Sequence, residues 1–163
     1  MTRARTLGRA VALAAAVVAV DQAAKAIVRS ALADGERHEL LPFLDLVNVR
    51  NSGVAFGLFA DGGAVLVAGA AIALGALLAF VLSHSERPLV WLPAGLLLGG
   101  AAGNLLDRVR EGSVTDFVKL PAWPAFNVAD MAITFGVLTL LYVLEGPPRR
   151  REAARRAAAS ADG

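Results

Sequence analysis

Four apolar stretches alternate with short polar ones along the chain. Leu7 to Val20 is almost purely apolar apart from Arg9, and its helical pattern continues past Asp21 and Lys25 to about Ala31. Gly62 to Leu82 carries no charge, Leu89 to Leu106 is rich in Gly and Leu, and Phe126 to Leu144 completes the set. A hydrocarbon core ~30 Å thick takes about 20 helical residues, so these runs are long enough to cross one. Between the first two lies a mixed segment. Leu41 to Arg50 tends to alternate and includes β-branched residues, the pattern of short strands, and Asn51-Ser52-Gly53 reads as a turn. The pattern predicts an α-helical membrane protein: four transmembrane helices with a small extracytoplasmic β lobe at about residues 34–61. Residues 1–146 form a single domain in this reading, and 147–163 form a basic cytoplasmic tail with no role in the fold.

Composition narrows the class. Of 163 residues, 56% are hydrophobic and only 18% charged, against about a quarter charged in soluble domains. A small soluble domain has no room to hide apolar blocks of this size. The basic start and the Ala-Ala-Lys-Ala segment also suit a cleavable secretory signal, but the helical pattern runs on to Ala31 and three further runs follow it, so an uncleaved first helix is expected. The formal charge of +2 comes largely from arginines at the two ends and does not argue for nucleic acid. With no cysteine, disulfides, thiolate nucleophiles and cysteine-bound metals are excluded. His38 and His84 lie in separate polar segments and form no metal-ligand pair.

Arg3, Arg5, Arg9, Arg87 and the arginines of the tail fall on one side, and most acids on the other. By the bias of Lys and Arg toward the inside, both termini are cytoplasmic and the lobe and the 107–126 loop face outward. Gly95, Gly99, Gly100 and Gly103 would line a face that admits another helix closely.

Chemistry concentrates between Gly103 and Asp130. Ionisable groups beside lipid-length apolar sequence are costly and mark functional sites. Asp116 follows the third run and Asp130 lies one turn into the fourth, so both belong near the outer interface, with Trp123 at headgroup level. Two close carboxyls in a poorly solvated place divide into one acid and one base, enough to activate a water and protonate a leaving amine. Each aspartate also has a plainer reading, as a solvated residue at a helix end. Asn127 precedes Asp130 by three residues and either caps the helix or holds a substrate or the carboxylate. Asn104, Asp107 and Arg108 close the third run, where Asp107 and Arg108 are expected to brace the outer lobe. Asp21 and Lys25, at i and i+4, suit a salt bridge or a brace beneath the site. Asn51 suits a contact to a substrate carbonyl or ordinary turn chemistry.

Five segments, in order, resemble the lipoprotein signal peptidase (signal peptidase II) family: Asp21-Gln22 with Lys25, Asn51-Ser52-Gly53-Val54-Ala55-Phe56, Gly103-Asn104-Leu105-Leu106-Asp107-Arg108, Gly112-Ser113-Val114-Thr115-Asp116-Phe117 and Phe126-Asn127-Val128-Ala129-Asp130. The resemblance implies a metal-free aspartyl endopeptidase of the bacterial inner membrane, without a cofactor. It would release the signal peptide from a lipid-modified prolipoprotein by cutting just before the diacylglyceryl-cysteine. It implies Asp116 and Asp130 as the catalytic pair, with Asn51, Asn104, Asp107, Arg108, Asn127, Asp21 and Lys25 binding substrate or supporting the pair. The partners expected are the prolipoprotein and membrane lipid, with the enzyme a monomer and acyl chains lying against the Gly-rich third run. The rival reading is a small ion- or proton-coupled transporter with cations at Asp21, Asp107 and Asp130. A third is a non-catalytic assembly factor using its Gly faces.

Overall fold

A computed structural model describes residues 2–52, 63–83 and 89–145. Gly53, Phe56, Asp61, the connection at 84–88 and the tail at 147–163 lie outside the described residues. The elements are α1 (Arg3–Ala31), β1 (Arg37–Leu41), β2 (Leu44–Asn51), α2 (Gly63–Ser83), α3 (Trp91–Glu111), β3 (Val114–Lys119) and α4 (Val128–Glu145). Among the described residues, α1 and α4 are long and apolar enough to cross a membrane, and α2 contains the apolar segment Ala71–Phe80.

The third helix is central. It packs against α1, α4 and α2, and α1 also meets α4. Lipid tails are as apolar as leucine, so helices in lipid gain little by hiding apolar surface from each other and associate through close packing. The small residues of α3 permit that closeness. A Cβ on Gly99 would stand 2.7 Å from the Val17 Cβ of α1, and one on Gly100 would stand 2.5 Å from the Ala129 carbonyl oxygen of α4. Both faces of the glycine stripe are therefore filled by protein. This corrects the expectation that acyl chains lie there.

The third helix also outruns its apolar sequence. It continues past Leu106 to Glu111 and stops where Gly112 takes a left-handed conformation at φ 71°, its N–H bonding the Arg108 carbonyl. Asp107 does not end the helix, because its charge is met by a cation from α1.

Beyond Gly112 the expected loop is a strand. The sheet has the order β1-β2-β3, antiparallel throughout. Val114-Thr115-Asp116-Phe117-Val118 alternates and is β-branched, so it pairs with β2, placing Asp116 opposite Val49. Phe117 packs with Val28 and Leu32 at the end of α1, with Leu46, Val118 and Val128 around them. That cluster seats the sheet on the helices. Phe126 then bonds back to β3: its N–H donates to the Val118 carbonyl at 2.9 Å, and its carbonyl accepts from Val118 at 2.8 Å. The Pro-containing loop is thereby closed, and α4 starts beside β3.

Candidate active site

Closure of that loop puts Asp116 and Asp130 on a shared set of asparagines. Asn127 is the residue before α4. Its Oδ1 accepts from the Asp130 amide at 2.9 Å, while the Asp130 Oδ2 accepts from the Asn127 amide at 3.2 Å. This is a reciprocal cap of the helix N-terminus, with aspartate as the return partner. Because Oδ1 is committed to the cap, the Asn127 Nδ2 points the other way and donates to Asp116 Oδ1 at 2.7 Å. One residue thus caps α4 and bonds both carboxylates, Asp116 through its side-chain amide and Asp130 through its backbone amide. The capping and site-holding readings of Asn127 are the same geometry.

Asn104 is fixed by similar logic. Its Oδ1 accepts from Lys25 Nζ at 3.0 Å and from Asn127 Nδ2 at 3.1 Å. Only its Nδ2 remains, and that donates to Asp130 Oδ1 at 2.8 Å. Lys25 carries donors only, so the amide cannot turn over without setting N–H against N–H. Asn51, at the end of β2, donates to Asp116 Oδ2 at 2.9 Å.

Beneath this layer lies a charged one. Lys25 Nζ is 2.8 Å from Asp21 Oδ2 and 2.7 Å from Asp107 Oδ2, and all three side chains are at most 1% exposed. Gln22 donates to Asp107 Oδ1 at 2.7 Å, and the Ala129 amide at the start of α4 donates to Asp21 Oδ1 at 2.9 Å. The triad joins α1, α3 and α4 at the level of the site. Asp107 therefore turns into the bundle toward α1 and does not brace the lobe. It sits inside α3 on a desolvated face, where a carboxylate needs a cation.

Arg108 donates from Nη1 to the Asn104 carbonyl at 3.2 Å and, among the described residues, makes no bond to the lobe. Bracing of the lobe falls instead to Glu111, paired with Arg29 at 3.2 Å and with Arg50 of β2 at 3.7 Å, and to Arg29, which also donates to Thr115 Oγ1 at 3.2 Å. Sequence reasoning missed Gln22 as a site residue, along with Arg29 and Thr115. The signal for two of them was present: Gln22, Lys25 and Arg29 recur at i, i+3 and i+7 in the C-terminal part of α1, among mostly apolar residues.

Asp116 is 2% exposed. Burial pushes its carboxyl above the ordinary carboxylate value, and the nearby Asp130 charge adds to the rise, while the hydrogen bonds from Asn51 and Asn127 and the charge of Lys25 oppose it. Asp130 is less enclosed and lies in the first turn of α4, beside the backbone N–H groups of the helix N-terminus. The two carboxyls have different surroundings, as a division into acid and base requires. Asp130 also borders an apolar cleft of about 310 Å³.

The chain is similar to known proteins. The family model for signal peptidase (SPase) II matches residues 13–145. The lipoprotein signal peptidase of Moorella thermoacetica is 44% identical over 137 residues, which is 81% of this chain and 89% of that protein. The lipoprotein signal peptidase of Burkholderia thailandensis is 40% identical over 134 residues, covering 77% and 81%. Two solved structures of a bacterial membrane enzyme, obtained by the in meso method at 2.3 and 1.9 Å, superpose with TM-scores of 0.76 and 0.79. Each is 32% identical and covers 84% of this chain, and they are matched over 87% and 92% of their own lengths.

Proposed function

The chain belongs to the signal peptidase II family of bacterial membrane proteases, which remove signal peptides from lipoprotein precursors, and from that premise we propose that Asp116 and Asp130 form its catalytic pair. The observation that carries this reading is the asparagine bridge: Asn127 bonds both carboxylates, Asn104 orients Asp130, and Asn51 orients Asp116.

In the proposed mechanism Asp116 enters the cycle protonated and Asp130 ionised. Asp130 takes a proton from a water as the water oxygen attacks the scissile carbonyl carbon. Asp116 donates a hydrogen bond to the carbonyl oxygen as negative charge develops there. When the tetrahedral intermediate collapses, the C–N bond breaks and the leaving amine receives the proton held by Asp130. The products are a signal peptide with a new carboxylate and a lipoprotein with a free α-amino group on its lipid-bearing cysteine. Asn104, Asn127 and Asn51 hold the pair in register, and Lys25 with Asp21 and Asp107 holds Asn104.

We read α1, α2, α3 and α4 as crossing the inner membrane with both termini cytoplasmic, the sheet and carboxylates lying at the outer face, and the enzyme acting as a monomer. The substrate is lipid-anchored, so its scissile bond sits near the headgroups, and a site at one end of the bundle suits it. A transporter needs charged groups open to both faces, whereas here the buried charges gather with the sheet at one end. The test is incubation of purified protein with a diacylated prolipoprotein, then mass measurement of the products. The wild type releases the signal peptide, and Asp116→Asn and Asp130→Asn leave the substrate intact while remaining folded. Full activity in either variant removes that residue from the mechanism.

A further inference from the structure

We propose that the cleft lined by Leu120, Trp123, Phe126, Met131, Thr134 and Phe135 seats the lipid of the substrate's modified cysteine, with its glyceryl end next to Asp130 and one acyl chain directed along α4. The inference rests on the peptidase reading and names where that substrate's lipid lies.

Connectivity points there first. The modified cysteine immediately succeeds the scissile bond, so its side chain leaves the backbone one atom from the nitrogen that is released. If Asp130 acts on that bond, the thioether and glyceryl must emerge within a few bond lengths of Asp130. Among the described residues, this apolar cleft reaches that carboxylate.

The lining of the cleft agrees. Apart from Asp130 and the Trp123 indole, the side chains are apolar or, at Thr134, already committed, since the Thr134 hydroxyl donates to the Asp130 backbone carbonyl at 2.9 Å. A polar peptide side chain would find few partners there, whereas an alkyl chain needs none. At roughly 30 Å³ for a group the size of a water, about 310 Å³ holds around ten methylenes. That is the first part of one acyl chain, with the remainder left in the bilayer.

Other apolar surfaces are less suited. The glycine stripe of α3 is occupied by α1 and α4. The exposed apolar residues Val11, Val20 and Ile27 of α1 do not line the cleft at Asp130.

A chain that moves from bilayer to cleft exchanges one apolar surrounding for another. The cleft therefore contributes position more than affinity: it sets where the cysteine stops relative to Asp130. Thr134 lies on the exposed side of α4, so a larger side chain there obstructs the cleft without entering the core.

The test uses full-length protein and a diacylated prolipoprotein carrying a diazirine near the start of one acyl chain. With the inactive Asp116→Asn protein, irradiation gives adducts on Met131, Phe135 or Leu120, and excess unlabelled diacylated substrate displaces them. Adducts on α1, adducts spread around the bundle, or adducts that a competitor does not displace overturn the proposal. In parallel, Thr134→Trp lowers kcat/KM at least tenfold with its thermal unfolding unchanged; unaltered kinetics in a folded Thr134→Trp protein also overturn it. Wild-type protein that leaves the diacylated substrate uncut defeats the peptidase reading itself. Cleavage with adducts elsewhere defeats only the lipid site.

Discussion

Replacing Lys25 by Met keeps most of the side-chain volume and removes the ammonium. Lys25 lies 2.8 Å from Asp21 and 2.7 Å from Asp107 with no exposure of its own, so both acids lose their countercharge at once. Breaking a buried pair from one side costs about 3–5 kcal/mol, because a charge is left buried and uncompensated. Gln22 still donates to Asp107 and the Ala129 amide still donates to Asp21, which argues for the lower end, about 3 kcal/mol. At 1.4 kcal/mol per tenfold, the folded-to-unfolded ratio falls about a hundredfold. The Asn104 Oδ1 also loses a donor, so activity falls further than stability alone explains. The assay is reversible unfolding of purified protein in mixed micelles, with Lys25→Met, Asp107→Asn and the double variant compared. The double variant recovers about 1–2 kcal/mol relative to additivity, within the range seen for contacting residues. A Lys25→Met protein within about 0.5 kcal/mol of wild type, the usual range for a surface substitution, refutes the claim that this triad holds the three helices together. So does a cycle with no coupling.

Asp116→Asn abolishes cleavage and does not destabilise the protein at neutral pH. Folding raises the Asp116 pKa above 3.8, so the folded state binds its proton more tightly than the unfolded chain does. That contribution favours folding fully below 3.8 and is lost as pH rises through the folded value; the stability of Asp116→Asn relative to wild type, measured by unfolding at a series of pH values, therefore increases over that window. Gly103→Ala is expected to reduce both stability and cleavage, since its Cβ would stand 2.8 Å from Asp21 Oδ2, with a cost of about 1–3 kcal/mol for overpacking. Gly75→Ala, in a helix with nothing within 4 Å, instead gains about 0.5–1 kcal/mol from helix propensity, and paired melts separate the two cases. Asn51→Ala leaves Asp116 Oδ2 without its Asn51 donor and lowers kcat, as read from steady-state cleavage.

Much of this organisation is legible from residue pattern because the membrane makes polar residues expensive. Asp21, Lys25, Asn104, Asp107 and Asp130 stand out in apolar runs, and the structure gathers all five. The i, i+3 spacing of Asn127 and Asp130 announces both a cap and a shared face. Partners remote in sequence are what the pattern conceals. Asp107 resembles the end of a helix because a charge in an apolar run suggests an interface; only the approach of Lys25 from α1 lets α3 continue to Glu111. Val114–Lys119 resembles part of a loop because it is short and comes after a glycine, and its strand character depends on the edge that β2 offers. The glycines of α3 tell of a close neighbour but not which one. Protein fills both sides, leaving the α4 cleft for lipid.

In the proposed mechanism the Asn-bridged carboxylates deliver a water to the scissile bond. Single-turnover cleavage of a diacylated prolipoprotein in ¹⁸O-labelled water measures this directly. The expected result is one ¹⁸O in the new C-terminal carboxylate of the released signal peptide and none in Asp116 or Asp130 when the enzyme is digested and weighed. Label in either aspartate would reveal a covalent acyl-enzyme and contradict direct attack by water.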